Sequence, residues 1–163
     1  MPDTEENQGQ WPQDKQQRPG CGFPTGRLTG CFSLQTGALL SYELSDKHQH
    51  ELKRFRRQWA VFQGDDIFLG DTAYCNFYDI SMLQKRGVDS VVTLARRTPV
   101  SHANAIKVLG KDDFLIRWQK PKRSTQFTKE EWSQVPEFLL LRQIKITIKQ
   151  PGFRPTVLYV ITT

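Results

Sequence analysis

Two apolar runs separated by one amphipathic segment constrain this chain more than anything else in it. Ile67-Phe68-Leu69 ends at Gly70 and gives way to one acid, Asp71, and a second run extends from Val88 to Leu94. Between them, residues 76–86 place Phe77, Ile80 and Leu83 at helical spacing, with Tyr78 nearby and Gly87 as a C-terminal stop. Strand, short helix, strand is a βαβ crossover, so the two strands are expected to pair in parallel and to be covered on both faces. Asp71 at the exit of the first strand reads three ways: a helix cap, a surface acid, or a metal ligand.

The flanking sequence fits around that unit. Residues 1–26, poor in aliphatics and rich in Gln, Pro and Gly, read as an extended lead-in. `RLTGCFSL` (27–34) and `GALLSYEL` (37–44) read as a hairpin closed by Gln35-Thr36-Gly37. In `SDKHQHELKRFRRQWAVF`, Leu52, Phe55 and Trp59 share one helical face, and Lys53, Arg54, Arg56 and Arg57 fill the remainder as a solvated or phosphate-facing surface. Ser45 or Asp46 is the candidate N-cap and Gly64 the candidate stop. Beyond Arg96-Arg97, `DDFLIRWQ`, `LLLRQIKITIKQ` and `TVLYVITT` read as strands. The basic `KPKRSTQF` and a short helix with a Thr128/Glu131 capping box lie among them. The last apolar strand runs up to Thr163 without a turn or cap after it.

Composition excludes several classes. No apolar run approaches the ~20 residues that cross a bilayer as a helix, and the polar, acidic start lacks the features of a signal peptide. Three cysteines, Cys21, Cys31 and Cys75, offer neither a CxxC pair nor zinc spacing, so reduced thiols are expected. A net charge of +6 favours polyanionic partners. His48, His50 and His102 have no acids at ligand or catalytic spacing and read as surface histidines. Asp65-Asp66 and Asp112-Asp113 each open a strand, where turn residues belong. Arg96, Arg97, Lys120, Lys122 and Arg123 are candidates for contact with a DNA backbone or are solvated loop charges. Trp118 and Trp132 either stack on unpaired bases or pack in the core.

Several stretches, taken together, resemble insertion-sequence transposases of the DDE class, of the IS-four type. `MPDTEENQ` resembles the segment after that family's first catalytic strand, and `PGCGFPTGRLTGCFSLQTGALLSYEL` its central hairpin. `GDTAYCNFYDISMLQKRGVDSVVTLARR` is similar to the second catalytic motif, and residues 117–163 to the β-rich insertion that follows it. The resemblance implies an α/β fold: a partial RNase H-like core over residues 27–97, lacking its first strand, and a β-rich insertion over 98–163 cut off at its C-terminal end.

It also implies a chemistry, in which three carboxylates hold two Mg²⁺ or Mn²⁺ ions for in-line phosphoryl transfer on DNA. Asp71 matches the second of these acids. Thr72-Ala73-Tyr74 follows it, where the family commonly has Arg then Gly. The first acid is expected upstream of Met1 and the third beyond Thr163. The chain is therefore expected to be a catalytically incomplete fragment in a bacterial cytoplasm, acting on insertion-sequence ends or joining an intact transposase or complementary fragment. Without the central first strand it would expose two strand edges and tend to aggregate. The alternative is a non-catalytic fragment that binds DNA or inhibits an intact transposase.

Overall fold

The computed structural model describes residues 1–18, 20–94 and 105–163. The protein is a mixed α/β structure with a sheet-based core, and it divides into two compact units, Met1–Phe62 and Gln63–Thr163. Among the described residues no helix is long and apolar enough to cross a membrane.

In the first unit the lead-in is not extended throughout. It carries a helix, α1 (Glu5–Gln10), whose N-cap Thr4 accepts a hydrogen bond from the Asn7 backbone N–H at 3.2 Å. Strands β1 (Gly26–Phe32) and β2 (Leu39–Asp46) form the expected antiparallel hairpin as a separate two-stranded sheet. Its loop is longer than expected. Ser33 N–H reaches Ala38 O at 2.9 Å, Gly37 N–H reaches Ser33 O at 2.7 Å, and Gly37 takes a φ of 72° that a side chain would oppose. Because β2 continues through Ser45 and Asp46, neither caps the next helix, α2 (Glu51–Arg57). His50 does so instead, its Nδ1 accepting from Leu52 N–H at 3.3 Å.

Leu52, Phe55 and Trp59 are buried as their spacing predicts, but α2 ends at Arg57, well before Gly64, and passes into a 3₁₀ turn at Trp59–Val61. Arg54 corrects the expectation of a solvated basic face, since only 2% of it is exposed. Its guanidinium donates to Thr29 Oγ1 (2.7 Å), Ser45 Oγ (3.0 Å) and Gln49 O (2.6 Å). Gln58 extends the network, donating to Thr29 O at 3.3 Å and accepting from Ser41 Oγ at 2.7 Å. The hairpin face carrying Thr29, Ser41 and Ser45 is thus joined to α2 by polar contacts. Leu28, Phe32, Leu39, Leu40, Tyr42 and Leu44 remain exposed.

The second unit begins with the crossover. Strand β3 (Ile67–Gly70), helix α3 (Phe77–Lys85) and strand β4 (Asp89–Thr93) follow in order, and β3 and β4 pair in parallel from Ile67↔Asp89 to Gly70↔Val92. Asn76 caps α3 by accepting from Asp79 N–H at 2.9 Å. Gly87, at a φ of 76°, releases the chain into β4 after the helix. Phe77, Ile80 and Leu83 are buried as expected.

Coverage of both faces is not found. Ile67 is 64% exposed and Leu69 52%, because β3 is the outermost strand of its sheet and α3 lies against the opposite side. Strands β5 (Ala105–Gly110), β6 (Asp113–Gln119), β7 (Phe138–Ile148) and β8 (Thr156–Thr162) complete a six-stranded mixed sheet in the order β3-β4-β8-β7-β6-β5. Sequence pattern had not marked β5. It is an edge strand with two register irregularities against β6 and with Ile106, Val108 and Leu109 exposed, so its pattern lacks clean alternation. Helix α4 (Lys129–Ser133) carries the expected capping box between Thr128 and Glu131. The core combines Phe77, Ile80, Val92, Phe114, Ile116, Val135, Leu139, Leu141 and Ile161.

Candidate functional site

Asp71 stands immediately after β3, with φ −80° and ψ −172°, and is exposed. The backbone just before it is crowded: a Cβ on Gly70 would come within 2.8 Å of the Phe68 ring and 3.0 Å of Tyr74 Cβ. Glycine at this position lets the strand turn into the 3₁₀ segment Thr72–Tyr74. Asp71 caps that segment, with Oδ1 accepting from Ala73 N–H at 2.7 Å. Oδ2 takes no part in that bond. A capping role and an exposed acid therefore coexist in one side chain.

The neighbouring strand end contributes Thr93, whose Oγ1 lies 3.0 Å from Thr72 Oγ1 and links the C-terminal ends of the parallel pair. Sequence spacing did not single out Thr93. Only the parallel register brings it beside the segment that Asp71 begins. Cys75, partly buried just beyond, has its thiol pKa pushed up to about 11 by desolvation, so it is a protonated thiol at neutral pH.

The fit of this site to divalent cations is limited. Two metal ions need several carboxylates, whereas one carboxylate leaves Mg²⁺ mostly hydrated. Among the described residues no three His, Cys, Asp or Glu side chains converge where they could hold a metal ion. The donor set within the described residues does not fit a two-metal centre, and no reaction step is derived through one.

The remaining candidates separate clearly. Asp65, at a φ of 71°, and Asp66, whose Oδ2 accepts from Gln63 N–H at 2.8 Å, shape the turn into β3. Asp113 accepts two hydrogen bonds from Arg142 (2.9 and 2.6 Å), and the guanidinium holds its carboxyl below the usual range. Asp112 lies 3.7 Å from Lys145 Nζ. These acids serve turns and ion pairs. His48 is exposed, its N–H donating to Asp46 Oδ1 at 2.7 Å, and His50 is the cap already described.

Arg96, Arg97 and His102 lie outside the described residues. Of the other three basic candidates, Lys120 donates to Val135 O at 2.9 Å and to Glu137 Oε1 at 3.3 Å, and sits 5.9 Å from the Trp132 ring centroid. Arg123 donates to Phe127 O, and Lys122 is exposed. Two of the three therefore tie down their own loop.

The tryptophans pack against protein. Trp118 meets Phe77 edge-on at 5.7 Å, and the Trp132 ring lies nearly parallel to that of Tyr78 at 6.4 Å, with Phe127 stacked on Tyr78 at 4.1 Å. Buried Asp79 went unnoticed in the sequence. It accepts from Asn76 Nδ2 at 2.7 Å, and the signal for it was an amide cap followed three residues later by an acid.

Comparison of the chain with family models, with curated proteins and with solved structures finds no match.

Proposed function

We propose that this chain is a fragment of a DDE-class insertion-sequence transposase of the IS-four type, with an RNase H-like ancestry for the β1–β2 hairpin and the β3–α3–β4 crossover. One observation carries the reading: an exposed carboxylate stands at the C-terminal end of a strand paired in parallel across a helical crossover. Open α/β sheets present their ligand-binding groups at that end of the strands. The quoted stretches of similarity point to the same family. In this reading Asp71 is the second metal-binding acid, and the first and third acids come from outside the sequence. The substrate is DNA at insertion-sequence ends, and Asp71 would hold Mg²⁺ or Mn²⁺ only together with the other two acids of the family's set, where the ions would supply Lewis-acid chemistry for phosphoryl transfer. This chain alone contributes one carboxylate and no turnover.

The genomic sequence on either side of the reading frame tests the family reading directly. An encoded strand bearing Asp upstream and a helix bearing Glu downstream, in any frame, are expected. Their absence from both flanks would sink the proposal. Activity is a separate matter. Purified protein with plasmid DNA and Mg²⁺ is expected to leave the plasmid supercoiled, whereas metal-dependent nicking lost on Asp71→Asn would show that the fragment retains catalysis.

The second reading, a DNA-binding or transposase-inhibiting fragment, is favoured by the +6 charge and by exposed Lys122. It predicts DNA binding that weakens steeply with salt and is indifferent to chelator and to Asp71→Asn.

A further inference from the structure

We infer that the outward face of the β1–β2 hairpin is a self-association surface that pairs with the same face of a second copy of this chain. The hairpin is built with its polarity reversed. Thr29 and Ser45 are buried, bonded to Arg54, while the opposite face carries Leu28 (67% exposed), Phe32 (60%), Leu40 (52%), Tyr42 (62%) and Leu44 (45%), with Leu39 (51%) beside them. The register sets Leu28 opposite Leu44, Gly30 opposite Tyr42 and Phe32 opposite Leu39, so the apolar side chains form one continuous patch.

Three features commit the surface to a second copy. The first is area. Six large side chains at these exposures offer on the order of 600 Å² per copy, so a face-to-face pair buries about 1,200 Å², the lower end of specific interfaces. The second is self-complementarity. A twofold pairing sets each patch against its own image, which an uncharged face tolerates even though the whole chain carries a net charge of +6. The third is flatness. Gly30 has no side chain, yet the Phe32 ring and Leu39 fill the space over it, at 3.0 and 3.2 Å from where a Cβ would stand, while Met1 and Trp11 lie against the Gly26–Leu44 end. Cavities lined by Asp3, Gln8 and Gln13, and by Ser81, Ser133 and Leu139, take no residue from it. A docked helix requires a groove, whereas two sheets pack flat at about 10 Å.

The test is sedimentation velocity on the full chain from about 1 to 100 µM, a range suited to an interface of this modest size. The expected result is a reversible shift from 18.9 kDa to twice that mass. Leu28→Lys combined with Tyr42→Lys is expected to hold the chain monomeric with unchanged far-UV circular dichroism. Ile67→Lys, at the exposed apolar site on β3, should leave the association constant within about twofold.

A chain that stays monomeric throughout, grows without limit, or still dimerises in the double variant overturns the proposal. So does loss of association in Ile67→Lys alone. Should the double variant fail to fold, amide spectra of the wild-type chain on dilution decide: changes centred on residues 28–44 support the interface, and changes centred elsewhere reject it. A monomer that instead binds an added amphipathic helical peptide through residues 28–44 also rejects it. None of these outcomes bears on Asp71, so the transposase reading stands or falls separately.

Discussion

The two compact units use opposite polarity to hold their sheets. In the second, the side of the sheet facing α3 and α4 is aliphatic and aromatic, and the other side mixes the Arg142–Asp113 ion pair at 2.6 Å and the Arg117 guanidinium over the Phe138 ring at 4.8 Å with exposed Ile67, Leu69 and Leu140. In the first, Arg54, Gln58, Thr29, Ser41 and Ser45 bond across the helix–hairpin contact, and leucines with two aromatics face outward. An alternating strand announces its period equally well in both cases. Which face turns inward depends on what packs there, and period alone does not encode that.

The contrast can be broken by mutation, and the largest effect belongs to the aliphatic core. Leu141→Ala, at a fully buried site, is expected to cost about 2–5 kcal/mol in denaturant unfolding. Leu28→Ala at low protein concentration should stay within about 0.5 kcal/mol of wild type. Equal losses at the two positions would mean that the hairpin's outer face is already covered within one chain.

The polar interface comes next. Arg54→Ala removes three charge-assisted hydrogen bonds and leaves Gln49 O without that donor, so a loss of about 2–4 kcal/mol is expected for the first unit. Arg54→Lys should recover part of it. An Arg54→Ala chain as stable as wild type would show that the network merely fills space.

The smallest effect concerns Cys75. Its folded pKa is raised by burial, so its contribution to stability is fully present below about pH 9 and falls as pH rises towards about 11. That alkaline loss should vanish in Cys75→Ala. At pH 8, iodoacetamide should modify exposed Cys21 well before Cys75, and a reversed order would contradict the burial.

Local signals explain why some of this was legible beforehand. The βαβ crossover announced itself through two apolar runs, the helical spacing of Phe77, Ile80 and Leu83, and the stop at Gly87, all effects that act within a few residues. The hairpin and the Thr128/Glu131 box were readable for the same reason. Arg54 was misread because a basic residue on an amphipathic helix is ordinarily solvated, and its acceptors lie as far as 25 residues away in sequence. Ile67 and Leu69 looked like a buried strand, since apolarity does not distinguish a central strand from an edge. At the candidate site, Asp71 could be named from its position after a strand. Its bond to Ala73 and the adjacent Thr93 depended on backbone geometry and register.

The place of β8 imposes an order on assembly. It is the last strand in the sequence, yet it lies inside the sheet, antiparallel to both β4 and β7, and its terminal Thr163 bonds with Ser90, 73 residues earlier. During synthesis the crossover and the β5–β6–β7 meander must wait as two half-sheets with open edges until β8 emerges and zips them together. Closure of that long loop comes late and is slow, so the nascent protein passes through a sticky stage for which a chaperone would be the natural escort.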